Sequence, residues 1–494
     1  MLEVLNKANT FTKENESSVI QDFRNKYHLM APIGWINDPN GFVFYEGEYH
    51  LFYQHYPYDS VWGPMHWGHA KSKDLVSWEH LPIALAPSED YDKDGCFSGS
   101  AIEVDGKLYL YYTGHVVNDG AVRQVQCVAV SEDGIHFEKH PQNPIVDERH
   151  IEGIAPIADF RDPKVFKKDD MYYMVVATKT ADNRGQILMF NSANLIDWDF
   201  FSILLEGDEH QGVMWECPDL FELDGKDVLI MSPIGIQPRG HEFKNVSSTV
   251  AFIGQMDWET GKFKVEADHE IDGGLDFYAP QTCEGPKGER MMSAWMQMWG
   301  RNMPSNELKH GWAGSMTLPR ELHIQSNRLI QKPPHGIYDY IQPTEKVGDL
   351  EIKDQQLIKE QVMLDQSYLK LDLDVSATKQ IQLELAKSAA GSLKVTYDVA
   401  SEVLEVSREG LGYEIKGDEP VHLLARSMQV SAIGGRLILE IFRDTSSVEI
   451  FINNTLAMTN TFYETEKGSD VVLDVLGSAR IHELTRGVFK DKDH

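Results

Sequence analysis

The chain has 494 residues, enough for more than one domain with ample core. Its 77 Asp and Glu against 46 Lys and Arg leave a formal net charge of −31, which argues against nucleic acid and anionic membrane surfaces as partners. That balance suits a neutral small molecule, and a phosphorylated one would need a local basic patch.

The first 24 residues read as a polar extension. Met1 to Met30 lacks the apolar core of a secretory signal and no later segment is apolar enough to span a bilayer, so a cytoplasmic location is expected. From residue 41 a two-stranded unit recurs five times: Gly41 to Gln54, Ser100 to Gly114, Pro163 to Thr178, Pro218 to Pro233, and a worn copy from Pro280 to Trp295. Each is a short apolar strand, a Gly/Asp turn and an aromatic-rich second strand, a hairpin pattern. With Tyr49, Leu108, Tyr172, Val228 and Met291 as equivalents, the spacings are 59, 64, 56 and 63 residues. One hairpin in so long a period leaves room for about two more strands per copy, which predicts a five-bladed β-propeller. Ser72 to Trp78, Ser131 to Phe137 and Ser192 to Trp198 repeat at the same period and read as turns whose aromatic plugs into a blade edge.

The period fades after Leu322, and Lys332 to Pro343, with three prolines, reads as a linker with room for one helical turn. Beyond it, alternating stretches such as Leu369 to Val375, Leu437 to Phe442 and Val448 to Ile452 predict an antiparallel β-sandwich. The expected organisation is therefore all-β: extension 1–24, propeller 25–332, linker 333–350 and sandwich 351–494, the last as a supporting or oligomerisation module.

Three acids occupy nearly one place in the repeat. Asp38 lies 11 residues before Tyr49, Asp162 10 before Tyr172 and Glu216 12 before Val228. Rotation about a propeller axis would bring them together at one mouth of the channel, where like charges raise one another's pKa. In Trp35-Ile-Asn-Asp-Pro-Asn-Gly41, neighbouring amides suit Asp38 as an ionised nucleophile, although the same residues could cap a tight turn. In Phe160-Arg-Asp-Pro163, Arg161 would keep Asp162 ionised for binding sugar hydroxyls, unless the pair is only a structural turn. In Trp215-Glu-Cys-Pro-Asp219, apolar neighbours would raise Glu216 toward a general acid, against the alternative of a partly buried edge glutamate. Gln54, Trp62, Phe97, Ser98, Tyr278 and Trp295 are candidate sugar contacts, with core packing an equal alternative for each one. His66 and His69 lack a third ligand nearby, so no metal site is expected. Cys96, Cys127, Cys217 and Cys283 contain no CxxC pair, so no disulfide framework is expected and no cofactor is implied.

These motifs, with Phe52-Tyr-Gln54, Trp67-Gly68, Phe97-Ser-Gly-Ser100, Asp276-Phe-Tyr-Ala-Pro280 and the stretch Arg443 to Asn453, stand in the order seen in glycoside hydrolase family 32. The resemblance spans about residues 25 to 485. That family comprises invertases, sucrose-6-phosphate hydrolases and fructan hydrolases, built as a propeller followed by a sandwich. The resemblance implies a retaining β-fructofuranosidase with Asp38 as nucleophile, Glu216 as acid/base and Asp162 as stabiliser. It also implies a fructose pocket lined by Asn37, Gln54, Trp62, Phe97, Ser98, Arg161, Tyr278 and Trp295. Sucrose, sucrose 6-phosphate and short fructo-oligosaccharides stay open as substrates. So do a fructosyltransferase using the same acids and a catalytically silent carbohydrate-binding propeller. The oligomeric state, including a homodimer, is left undetermined.

Overall fold

The repeats become five four-stranded antiparallel sheets in the computed structural model, which describes residues 1–360, 365–418 and 423–490. Blade 1 comprises Gly34–Tyr45, Glu48–Tyr56, His66–Ser72 and Glu79–Leu85; blade 2 comprises Gly95–Val104, Lys107–Asn118, Ala121–Ser131 and Glu138–Lys139. Blade 3 comprises Phe160–Lys168, Met171–Lys179, Gly185–Ser192 and Asp199–Glu206. Blade 4 comprises Gln211–Leu223, Lys226–Ile236, Val250–Asp257 and Lys262–Glu270, and blade 5 Tyr278–Glu284, Arg290–Trp295, Arg320–Gln325 and Arg328–Lys332. The predicted hairpins are the two inner strands of each blade. Their two-residue turns Asp105-Gly106 and Asp224-Gly225 carry positive φ at both positions, as a tight hairpin turn requires.

Innermost strands touch in succession, the fifth against the first, and Trp312–Ala313 returns to pair in parallel with Gly34 and Trp35. The ring is glued by apolar clusters between blades rather than within them. Blades 1 and 2 share Phe52, Trp67, Leu110 and Phe137; blades 2 and 3 share Tyr111, Val128, Met174 and Trp198. The repeated serine turns do what their sequence predicts. Ser72 Oγ accepts from the Leu75 amide at 2.8 Å, and Asp74 accepts from the amides of Val76 and Ser77 at 2.9 and 2.8 Å. Phe137 and Trp198, which close the next two such turns, pack against Phe52 and Tyr111 of the preceding blade.

In the C-terminal domain two long strands, Ser367–Lys387 and Asp470–Phe489, pair along their whole length and run through both layers of the sandwich. Residues 367–374 pair with Arg436–Asp444 in one layer, and residues 380–385 with Leu393–Asp398 in the other. Register shifts between Asp374 and Gln380 mark the bend, with Gly477 opposite at φ +99°. Ile341–Val347 already pairs with the last strand, so the sandwich begins inside the stretch expected as linker, and the expected helical turn is the 3-10 segment His335–Tyr340. The 1–24 extension carries a helix, Leu2–Asn15, held to blade 1 by Asn9, whose side chain accepts from the Ile83 amide at 2.9 Å. No helix among the described residues is long and apolar enough to cross a membrane.

Propeller and sandwich meet across a seam that is both apolar and ionic. Tyr27, Leu318, Ile337, Tyr368, Phe442 and Phe451 form its greasy part. Beside them His28 sits fully buried between Asp444 at 2.8 Å and Glu449 at 2.7 Å. Arg320 joins Glu449 to Asp272 at 2.7 and 2.8 Å, Arg301 and Arg408 both reach Asp276, and Arg426 reaches Glu270. Burial alone would lower the His28 pKa, but hydrogen bonds and charge from Asp444 and Glu449 outweigh it and raise it to about 9. A buried pair that loses one member leaves an uncompensated charge costing about 3–5 kcal/mol. A group raised in the folded state stabilises fully below its unfolded pKa of about 6.5, and that contribution is lost as pH rises through about 9. We therefore expect His28→Gln to lower Tm by several degrees at pH 6 and by much less at pH 10, measured by differential scanning calorimetry across that range.

Candidate active site

Every innermost strand is broken by a β-bulge at the same height. Register shifts fall between Ile36 and Pro39, Phe97 and Gly99, Arg161 and Lys164, Glu216 and Asp219, and Tyr278 and Gln281. In blades 3, 4 and 5 the bulged residue has positive φ, at Asp162 (68°), Cys217 (49°) and Ala279 (51°). Proline follows each of them, and also Asp38, where the bulge has removed the demand for a ladder N–H. A bulge re-aims side chains, and here the effect is to gather Asp38, Ser98, Asp162, Glu216 and Cys217 around the head of the channel.

All three acids therefore sit together. Asp38 Oδ2 accepts from Ser98 Oγ at 2.6 Å and Oδ1 from Asn37 Nδ2 at 3.1 Å. Asn37 is itself fixed by the Trp35 indole, which donates to its Oδ1 at 2.8 Å. Asp162 Oδ2 accepts from the Cys217 amide at 2.9 Å, and the Cys217 thiol lies 3.5 Å from both Asp38 Oδ2 and Asp162 Oδ2. Burial and the three carboxylates push that thiol's pKa well up, so Cys217 stays a neutral S–H donor between two acids. Burial, reinforced by the Glu216 charge, pushes Asp38 up to about 6 against the hydrogen bonds of Ser98, Asn37 and Cys217. Burial likewise carries Asp162 up to about 7, with Arg161 opposing it and the other two acids adding to it.

Glu216 is held from two sides. Arg161 donates to Oε1 through Nε at 3.1 Å and Nη2 at 2.8 Å, and the Tyr278 hydroxyl donates to Oε2 at 2.5 Å. Two expectations based on chain neighbours are thereby corrected. Trp215 does not desolvate Glu216: successive strand residues face opposite sides, and Trp215 is buried against Gly185 and Phe252 with its indole donating to the Gln211 carbonyl. Arg161 makes its hydrogen bonds to Glu216 rather than to its neighbour Asp162, which is raised rather than kept low.

Above the acids opens a cavity of about 390 Å³. Of the candidate sugar contacts, Asn37, Gln54, Trp62, Phe97, Ser98 and Arg161 line it. Tyr278 lies beneath, fully buried, and touches the site through its hydroxyl. Trp295 does not reach the cavity; it is buried behind Trp35 and Trp299, and Trp299 supplies the wall in its place. Sequence reading missed Trp299, His115, Gln124 and Asp159. His115 stacks on Phe97 at 4.1 Å, and Gln124 accepts from Arg161 at 3.3 Å. His115 and Gln124 lie on the second and third strands of blade 2, Asp159 just before blade 3 and Trp299 just after the second strand of blade 5, at positions the repeat does not mark. Elsewhere, His66 bonds the Pro64 carbonyl and His69 bonds His50, and no group of three or more His, Cys, Asp or Glu among the described residues could hold a metal.

Comparison with known proteins agrees with this architecture. Residues 28–333 match the glycosyl hydrolases family 32 N-terminal domain and residues 337–485 the family 32 C-terminal domain. The chain is 40% identical over 442 residues to a sucrose-6-phosphate hydrolase of Escherichia coli, covering 88% of each. Among solved structures, it is similar to a Bombyx mori family 32 β-fructofuranosidase, a mutant of which was solved with sucrose (TM-score 0.81, 35% identity, 97% of each chain). It is also similar to sucrose-6-phosphate hydrolase from Lactobacillus gasseri (TM-score 0.86, 28% identity, 97% of this chain and 96% of that one).

A hydrogen bond to a charged group is worth about 1.5–3 kcal/mol, or roughly one to two pKa units. Ser98→Ala removes such a bond from ionised Asp38. The midpoint of the Asp38 carboxyl resonance, followed by ¹³C NMR, is expected to move from about 6 to near 7 or above.

Proposed function

This chain belongs to glycosyl hydrolase family 32 and hydrolyses β-fructofuranosides of the sucrose type, and we propose that it does so with retention of configuration through a covalent fructosyl-enzyme. The observation that carries the mechanism is the convergence of two carboxyl groups on one cavity: Asp38, oriented by Ser98 and Asn37, and Glu216, positioned by the Arg161 guanidinium and by the Tyr278 phenol, which burial keeps protonated.

In the first step Asp38 attacks the anomeric carbon of the fructosyl unit, and the bond from that carbon to the glycosidic oxygen breaks. Glu216 passes its proton to the departing oxygen, releasing the other sugar. In the second step Glu216, now a base, takes a proton from water as its oxygen attacks the same carbon and frees Asp38. Asp162, held by the Cys217 amide, accepts from fructose hydroxyls. Two displacements at one centre restore the original configuration.

Rates should divide the roles. Asp38→Ala is expected to lower kcat on sucrose by about 10⁴-fold or more, because the covalent route is lost. Glu216→Ala should cost a fructoside with a good leaving group at least about 100-fold less than it costs sucrose, since general acid help is worth about 10²–10⁴-fold. Equal losses on both substrates would remove the acid role from Glu216. Stereochemistry is a separate test: hydrolysis in aqueous methanol should give methyl β-fructofuranoside by NMR, and the α-anomer would rule out double displacement.

A further inference from the structure

The cavity wall bears on which leaving sugar the site accepts. Among the described residues, Arg161 is the one Lys or Arg that lines the cavity, against four acidic side chains: Asp38, Asp159, Asp162 and Glu216. Its guanidinium is already engaged. Nε and Nη2 donate to Glu216, and Nη1 lies 3.3 Å from Gln124 Oε1 and 3.4 Å from Asp159 Oδ1. Asp159 takes a second cation from outside the cavity, Lys179 at 3.2 Å, so that lysine is also committed. Burial lowers the pKa of His115, which favours its neutral form.

One guanidinium thus touches both Glu216, beside which the glycosidic oxygen must lie, and Asp159 on the wall. A leaving sugar whose oxygen is protonated by Glu216 therefore sits within an arginine's width of the Asp159 carboxylate. Trp62 and Trp299 offer it apolar faces, which an uncharged sugar ring can use. A phosphate monoester there would meet the Asp159 carboxylate and, among the described residues that line the cavity, no uncommitted cation to replace its hydration, and like charges in a partly desolvated cavity repel strongly.

Resting on the fructosidase reading above, we propose that this site selects uncharged leaving sugars over phosphorylated ones, sucrose over sucrose 6-phosphate, and that Asp159 is a specificity-determining residue. The preference runs against the substrate named for several of its relatives.

The test compares kcat/KM of the full-length enzyme on sucrose and sucrose 6-phosphate, at low ionic strength and in about 0.5 M NaCl, where charge interactions are screened within a few ångströms. The wild type should favour sucrose at least about tenfold at low salt, and the gap should narrow in high salt. Asp159→Asn keeps an acceptor for Arg161 but removes the charge; it should raise the ratio of kcat/KM for the phosphate over sucrose by at least about fivefold. A wild type that cleaves the phosphate as well as or better than sucrose overturns the proposal and leaves the fructosidase reading intact. So does an Asp159→Asn variant, folded by its Tm, that leaves the ratio unchanged. Failure of the folded wild type to cleave either substrate would instead sink the fructosidase reading, and this inference with it.

Discussion

A strand at the axis of a propeller must pair with only one neighbour in its own blade while presenting its other edge to a narrow channel. Regular pleating would send every second side chain away from that channel. The bulge placed at one height in all five innermost strands changes the aim at the position where chemistry is needed. Asp162 at φ +68° and Cys217 at +49° hold conformations that cost about 1–3 kcal/mol each, and the closed ring of blades is what holds them there. The site is thus a property of the whole ring: blade 1 supplies Asp38, blade 2 Ser98, blade 3 Asp162 and Arg161, blade 4 Glu216 and Cys217, and blade 5 Tyr278.

Bringing carboxylates from three blades together is unfavourable unless each finds its own compensation. Hydroxyl, amide and thiol donors serve Asp38, a backbone amide and the same thiol serve Asp162, and a guanidinium with a phenol serves Glu216. Cys217 is central because a neutral donor can bridge two acids without adding charge. Arg161 is central in the other direction, since its fixed fork ties Glu216 to the outer wall of the cavity.

The repeat made the propeller, the number of blades and the convergence of Asp38, Asp162 and Glu216 legible in the sequence, because rotation about an axis turns equal spacing into proximity. Adjacency in the chain was a poor guide to the partners of those acids. On a strand, Trp215 and Glu216 face opposite sides, and Arg161 reaches across to blade 4 rather than to Asp162 beside it. The family resemblance implies Trp295 as pocket lining, whereas the wall is made four residues later by Trp299. The ionic seam was invisible for a different reason: His28 and Asp444 are 416 residues apart and belong to no periodic pattern.

That seam decides how far the two domains are separable. Glu270, Asp272 and Asp276 lead into and follow the join between blades 4 and 5, and two of their counter-ions, Arg408 and Arg426, reside on the sandwich. A propeller without its sandwich would leave Glu270 without Arg426, and Asp276 with Arg301 but without Arg408. The C-terminal domain is thus an internal counter-ion for the catalytic one, and grafting a foreign sandwich onto this propeller would succeed only if it arrived with arginines at matching heights.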